Sequence, residues 1–186
     1  MYSVKQLSLL ALVLAQLLAG IQCGVYDNTD NWVLGDKTKN FPENAVLGGF
    51  DPTGYNLYVA RTVSGSNILP ARVVAETRVG TFNTDTAVNT ATSYELLVSN
   101  ATLSYQWVRS YDGYREKNAV SVGTNATNDQ VFICRARSDS GQIIGTLYLA
   151  QKKCYVRYGT LSLKTFDKYE VLVREQKIVN WIPYDN

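Results

Sequence analysis

The sequence predicts an all-β fold, a β-sandwich built from two tandem repeats related by a pseudo-two-fold axis. Three observations carry this expectation. Segments such as "YNLYVARTV" and "QVFICRAR" alternate in character and are rich in aromatic and β-branched residues, as half-buried strands are. Clusters of Gly, Asn, Ser, Thr and Asp separate them and read as turns, and no segment after the N-terminal run shows useful helical periodicity. The strand-rich text is also written twice.

Residues 1–23 read as a signal peptide. Lys5 is followed by the apolar run "LSLLALVLAQLLAG" and then by small or polar residues and Cys23. The run is too short for a membrane span and has the wrong flanks. Cleavage after Gly20 or after Cys23 fits equally, and an exported, extracellular product is expected. Cleavage after Cys23 leaves 163 residues (186 minus 23), enough for one core or two small ones.

The first repeat, residues 24–98, opens on Trp32, passes through "PENAVLGGFD" and "LYVAR", and ends on "SYELLVS". The second, residues 99–186 with a C-terminal strand, opens on Trp107 and returns "NAV", "FICRAR" and "KYEVLVR". Trp107 follows Trp32 by 75 residues, Arg135 follows Arg61 by 74, and Tyr169 follows Tyr94 by 75. On this count Gly145 to Leu147 stand where Pro70 to Arg72 stand. "VNWIPYDN" places Trp181 at 74 beyond Trp107, as if a third opening strand began. Neither repeat alone covers its sheet edges and faces, so both are expected in one compact unit. Residues kept in both copies are most simply requirements of the fold. Arg61 with Glu95 and Arg135 with Glu170 read as ion pairs rather than ligand groups, and the tryptophans as core anchors rather than sugar platforms.

The chain has no histidine. That removes Ser-His-Asp and Cys-His nucleophilic sites and the commonest zinc ligand. No pair of acids stands out for carboxylate hydrolysis, so no enzyme, cofactor or metal is expected. The formal net charge is +2, falling to +1 without Lys5, and no run of basic residues suggests nucleic acid. After the leader only Cys134 and Cys154 remain, either as one disulfide across about 20 residues or as two buried thiols. "NAT" at Asn100 and again at Asn125 are N-glycosylation acceptors.

The order Trp, "P-x-N-A-V-x-x-G-x-D", "L-Y-V-x-R", a proline with a basic residue two on, then "Y-E-x-L" resembles the DM-nine repeat family. Here the pieces are Trp32, "PENAVLGGFD", "LYVAR", "PAR" from Pro70 to Arg72, and "YELL". The resemblance spans Asp30 to Val173 in two copies. It implies a tandem-repeat β-sandwich and, by analogy with some members, a metal-independent lectin for mannose-type glycans. The family's sugar-holding residues fall on Asp51 and Arg72, the latter replacing the usual lysine. A carboxylate accepting from vicinal hydroxyls beside a donating cation suits that chemistry. Asp51 reads equally as a turn cap, whose carboxylate takes backbone N–H groups of the following residues. Asn125 replaces Asp51 in the second copy, so a single site is expected. The expected function is therefore a secreted mannose-type recognition protein, with a structural or protein-interaction module as the alternative. A homodimer is kept among the expected partners.

Overall fold

The computed structural model describes residues 23–84 and 86–177. The expected leader before Cys23, and Trp181 with its expected strand, lie outside the described residues. Among the described residues, fourteen strands and one short 3-10 turn, Leu149–Gln151, account for the regular structure. The first seven are β1 (Trp32–Leu34), β2 (Leu47–Phe50), β3 (Asn56–Ser64), β4 (Asn67–Val74), β5 (Val79–Asn83), β6 (Val88–Thr90) and β7 (Glu95–Leu97). The second seven are β8 (Leu103–Tyr111), β9 (Ser121–Thr124), β10 (Gln130–Ser138), β11 (Gly141–Tyr148), β12 (Lys153–Val156), β13 (Lys164–Phe166) and β14 (Lys168–Gln176).

Every pairing is antiparallel, and one scheme occurs twice. In the first set β1 pairs β7, β7 pairs β3, and β2 to β6 pair in sequence. In the second set β8 pairs β14, β14 pairs β10, and β9 to β13 pair in sequence. The two sets meet where Gln142 of β11 lies opposite Phe50 of β2 and where Tyr26, ahead of β1, bridges to Gly123 of β9. Their main core is shared. Leu57, Val59 and Ile68 of the first set pack with Val120, Val122, Phe132 and Ile143 of the second. The opposite face of the first set carries its own cluster, including Ala60, Ala71, Val73, Phe82 and Leu96. Both faces are covered, so burial runs unbroken from Val59 to Thr62 in β3 and from Ile68 to Val73 in β4.

The hydrogen-bond registers correct the sequence alignment by one residue. Arg61 lies opposite Pro70, and Arg135 lies opposite Ile144. The counterpart of Arg72 is therefore Thr146, not Leu147. The 74-residue spacing persists through β12, where Tyr155 opposite Thr146 matches Thr81 opposite Arg72. It becomes 75 at β13, where Thr165 opposite Tyr155 matches Thr90 opposite Thr81. The extra residue thus sits in the loop between β12 and β13, where insertion disturbs no ladder.

Cys134 and Cys154 are bonded, with sulfurs 1.96 Å apart and Cα atoms 6.0 Å apart, tying β10 to β12. The first set has Ala60 and Gly80 at the same places. A Cβ on Gly80 would lie 2.6 Å from the Tyr94 ring, so that position has no room for a side chain.

Both expected arginine pairs form. Arg61 Nε lies 2.6 Å from Glu95, and Arg135 Nε lies 2.8 Å from Glu170. The tryptophans do not simply plug the core. Trp32 and Trp107 are partly buried, and each presents its ring to a guanidinium with Cζ 4.4 Å from the centroid. Arg61 is additionally covered by Tyr26, and it donates to the carbonyls of Asp27 and Val122 and to Asn28 Oδ1.

Candidate functional site

Asp51 follows β2 and starts a tight turn closed by Gly54, whose φ of +94° is a left-handed conformation that suits glycine. Its Oδ1 accepts from the Thr53 amide (2.9 Å), the Thr53 hydroxyl (2.7 Å) and the Tyr55 amide (3.0 Å). Asn125 makes the same turn. Its Oδ1 accepts from the Thr127 amide (3.0 Å), the Thr127 hydroxyl (2.8 Å) and the Asp129 amide (2.8 Å). One oxygen at this position is thus a turn cap in both repeats.

The second oxygen of Asp51 has a different task. Oδ2 accepts from the Tyr158 hydroxyl at 3.1 Å, and the whole residue is 7 % exposed. Burial raises the carboxyl pKa, but the bonds from Thr53, Tyr55 and Tyr158 outweigh it and hold the group below its ordinary value. Tyr158 responds in the opposite sense, raised by burial and by the neighbouring carboxylate.

Arg72 reaches the same tyrosine from β4, with Cζ 5.9 Å from the ring centroid. It is 4 % exposed and forms no ion pair among the described residues. Its partners are neutral: Asn83 Oδ1 at 3.0 Å, the Ile144 carbonyl at 3.4 Å and the Arg157 carbonyl at 3.0 Å. Loss of water lowers its pKa to about 10, which still leaves it charged at neutral pH.

The geometry therefore brings Asp51 and Arg72 together around Tyr158, which comes from the β12–β13 loop of the other repeat. Sequence reasoning missed Tyr158, Asn83 and the Arg157 carbonyl. Position 158 corresponds to Thr84 in the first repeat, so the repeat pattern gives no hint of Tyr158. A second feature also escaped the linear reading. Exposed Arg109, Arg137 and Lys168 converge on one outer sheet groove of about 620 Å³, although no two are adjacent in sequence. Asn100 is exposed in its own turn, while Asn125 is half-buried. Among the described residues no group of three or more His, Cys, Asp or Glu is placed to hold a metal ion. Among them, also, no helix is long and apolar enough to cross a membrane.

The crystal structure of the nematode sperm cell motility protein MFP2B shares this fold, with a TM-score of 0.62 and 15 % identity. The likeness covers 83 % of this chain and 49 % of that one, so this chain spans about half the neighbour's length. No curated protein matches the sequence. The model of the DM9 repeat matches residues 51–165, more than half of the 186 residues and including Asp51, Arg72, Tyr158 and their counterparts in the other repeat. The chain belongs to the DM9 repeat family.

Proposed function

We propose that the chain is a non-enzymatic, metal-independent carbohydrate-recognition protein whose first-repeat site binds a mannose-type sugar. The observation that carries this reading is a buried carboxylate and a buried guanidinium that converge on one tyrosine without neutralising each other. Each retains hydrogen-bonding capacity. Asp51 Oδ2 has one hydrogen-bond partner and a lone pair left to accept another, and the five N–H groups of Arg72 exceed its three hydrogen bonds. Vicinal hydroxyls donating to Asp51 and accepting from Arg72 would complete both.

Asp51→Asn is the direct test, because Asn125 already makes the same turn with an amide. Titration of methyl mannoside should show roughly tenfold weaker binding, about 1–2 kcal/mol, with the fold retained. Arg72→Ala should weaken binding comparably, and chelators should change nothing. Unaltered affinity in Asp51→Asn, or no binding of any glycan by the wild type, would return Asp51 to a turn cap alone.

An extracellular location accords with the N-terminal apolar run, the disulfide and the two acceptor sequences. Glycosidase treatment of secreted material checks it: a mobility shift is expected, and an unshifted band removes glycosylation at Asn100 and Asn125.

A second reading is a structural or protein-interaction module without a sugar site. It draws on the depth of Asp51 and Arg72 and on the motility function named for the similar fold.

A further inference from the structure

The 74-residue relation maps the Asp51 site onto a second place in the molecule. Asp51 becomes Asn125, Arg72 becomes Thr146, and Tyr158 becomes Thr84. Asn83 and Arg157 exchange roles. At the first place the long Arg72 and Tyr158 side chains lie beside Asp51. At the second, Thr146 and Thr84 are short, and a cleft of about 520 Å³ opens beside Asn125. That size lies within the range of small-ligand sites, roughly 300–1,000 Å³.

The cleft holds polar groups that the fold leaves unused. Thr146 is 4 % exposed and lines the cleft, and its hydroxyl makes no hydrogen bond among the described residues. Asn83 is 8 % exposed; its Oδ1 accepts from Arg72, which leaves its amide nitrogen without a partner among the described residues. Neither atom is among the wholly buried side-chain atoms that lack a partner, so both open onto the cleft, where a hydroxyl and an amide N–H stand free to bond a ligand. The wall opposite is aromatic, with Tyr148 and Tyr155 meeting edge to face at 6.3 Å. None of the described lining residues is charged. Neutral donors and acceptors facing an aromatic wall match a ring with hydroxyls on its edge and C–H groups on its face.

We propose that this cleft is a second saccharide site, taking a neutral sugar through Thr146 and Asn83 against the Tyr155 ring. It does not depend on Asp51. The sugar has two possible sources with one chemistry: a free saccharide, or the stem of the chain's own glycan on Asn125 at the cleft's margin.

The test follows backbone amide shifts of unglycosylated, bacterially produced protein titrated with methyl mannoside, methyl galactoside and N-acetylglucosamine. Saturable shifts are expected at Asn83, Thr146 and Tyr155, and they should persist in Asp51→Asn. Thr146→Val should weaken the response roughly three- to tenfold. Thr146→Arg, which restores the bulk seen at Arg72, should abolish it, and Tyr155→Ala serves if that variant fails to fold. Protein from a glycosylating host separates the sources. Loss of the response, restored by enzymatic deglycosylation, identifies the Asn125 glycan as occupant; an unchanged response identifies free sugar. No shift at these residues with any of the sugars, or shifts that Thr146→Val and Tyr155→Ala leave unchanged, would overturn the proposal. Shifts confined to the surroundings of Asp51 and Arg72 would likewise leave only the first site standing.

Discussion

The first and second repeats have the same ladder and opposite solutions to the same internal problem. Where β4 carries Arg72, β11 carries Thr146; where the β12–β13 loop offers Tyr158, the β5–β6 loop offers Thr84. One position is filled by charge and an aromatic ring, the other is an open cleft. The bracing differs in the same spirit. Arg61 lies between two rings and its side chain is 2 % exposed, whereas Arg135 leans on one ring and is 19 % exposed. Trp107 donates its indole N–H to the Leu47 carbonyl, but the buried indole N–H of Trp32 has no partner among the described residues. A duplicated ladder tolerates such divergence because backbone pairing, not side-chain identity, holds each copy in register.

The contrast in bracing carries the largest expected effect. Arg61→Met leaves Glu95 without its ion-pair partner and takes a donor from the Asp27 and Val122 carbonyls, and should cost about 3–5 kcal/mol in urea unfolding. Arg135→Met should cost about 1–2 kcal/mol, because water reaches both members of that pair. Equal costs would break the comparison. Next comes the disulfide, present only in the second repeat. Reduction of Cys134–Cys154 should lower stability by about 3 kcal/mol, with hydrogen-exchange protection lost in β10 and β12 before β3 and β5. Uniform loss would mean that the two repeats unfold as one cooperative unit.

The smallest effect separates Asp51 from Asn125. Asp51 has a folded pKa below its ordinary 3.8, so its ionised form stabilises the fold fully above that value. The contribution fades as pH falls from there through the folded pKa. Asp51→Asn has no such dependence. The melting temperatures of the two proteins should therefore converge between about pH 5 and pH 2. A constant gap across that range would show that the carboxylate charge does not contribute.

Much of this architecture was legible in the residues. Alternation and turn clusters gave strands, and the spacing of Trp32 to Trp107 and Tyr94 to Tyr169 gave the repeat. The ion pairs followed from residues kept in both copies. The role of Asp51 was half legible: its cap follows from "DPTG", but the Tyr158 contact depends on how the repeats dock. Register was misjudged at Arg72 because the text between Arg135 and Tyr169 has few matching letters. Only the ladder places the extra residue beyond β12. The cationic groove of Arg109, Arg137 and Lys168 was invisible for a related reason, since three strands contribute one residue each.

The crossing of the β12–β13 loop into the first-repeat site has a consequence for how such a chain can change over generations. Neither place belongs to one copy: each sets a turn and a strand residue of one repeat, Asp51 with Arg72 or Asn125 with Thr146, beside a loop residue of the other, Tyr158 or Thr84. After duplication, the copies were therefore not free to drift as separate modules. A substitution at position 158 alters the neighbourhood of Asp51, and one at position 84 alters that of Asn125. Bulk gained in one loop alters the place it faces in the opposite half, so a change in either stretch of the gene is felt in both. Specialised, unequal sites are what such an interlocked pair readily produces.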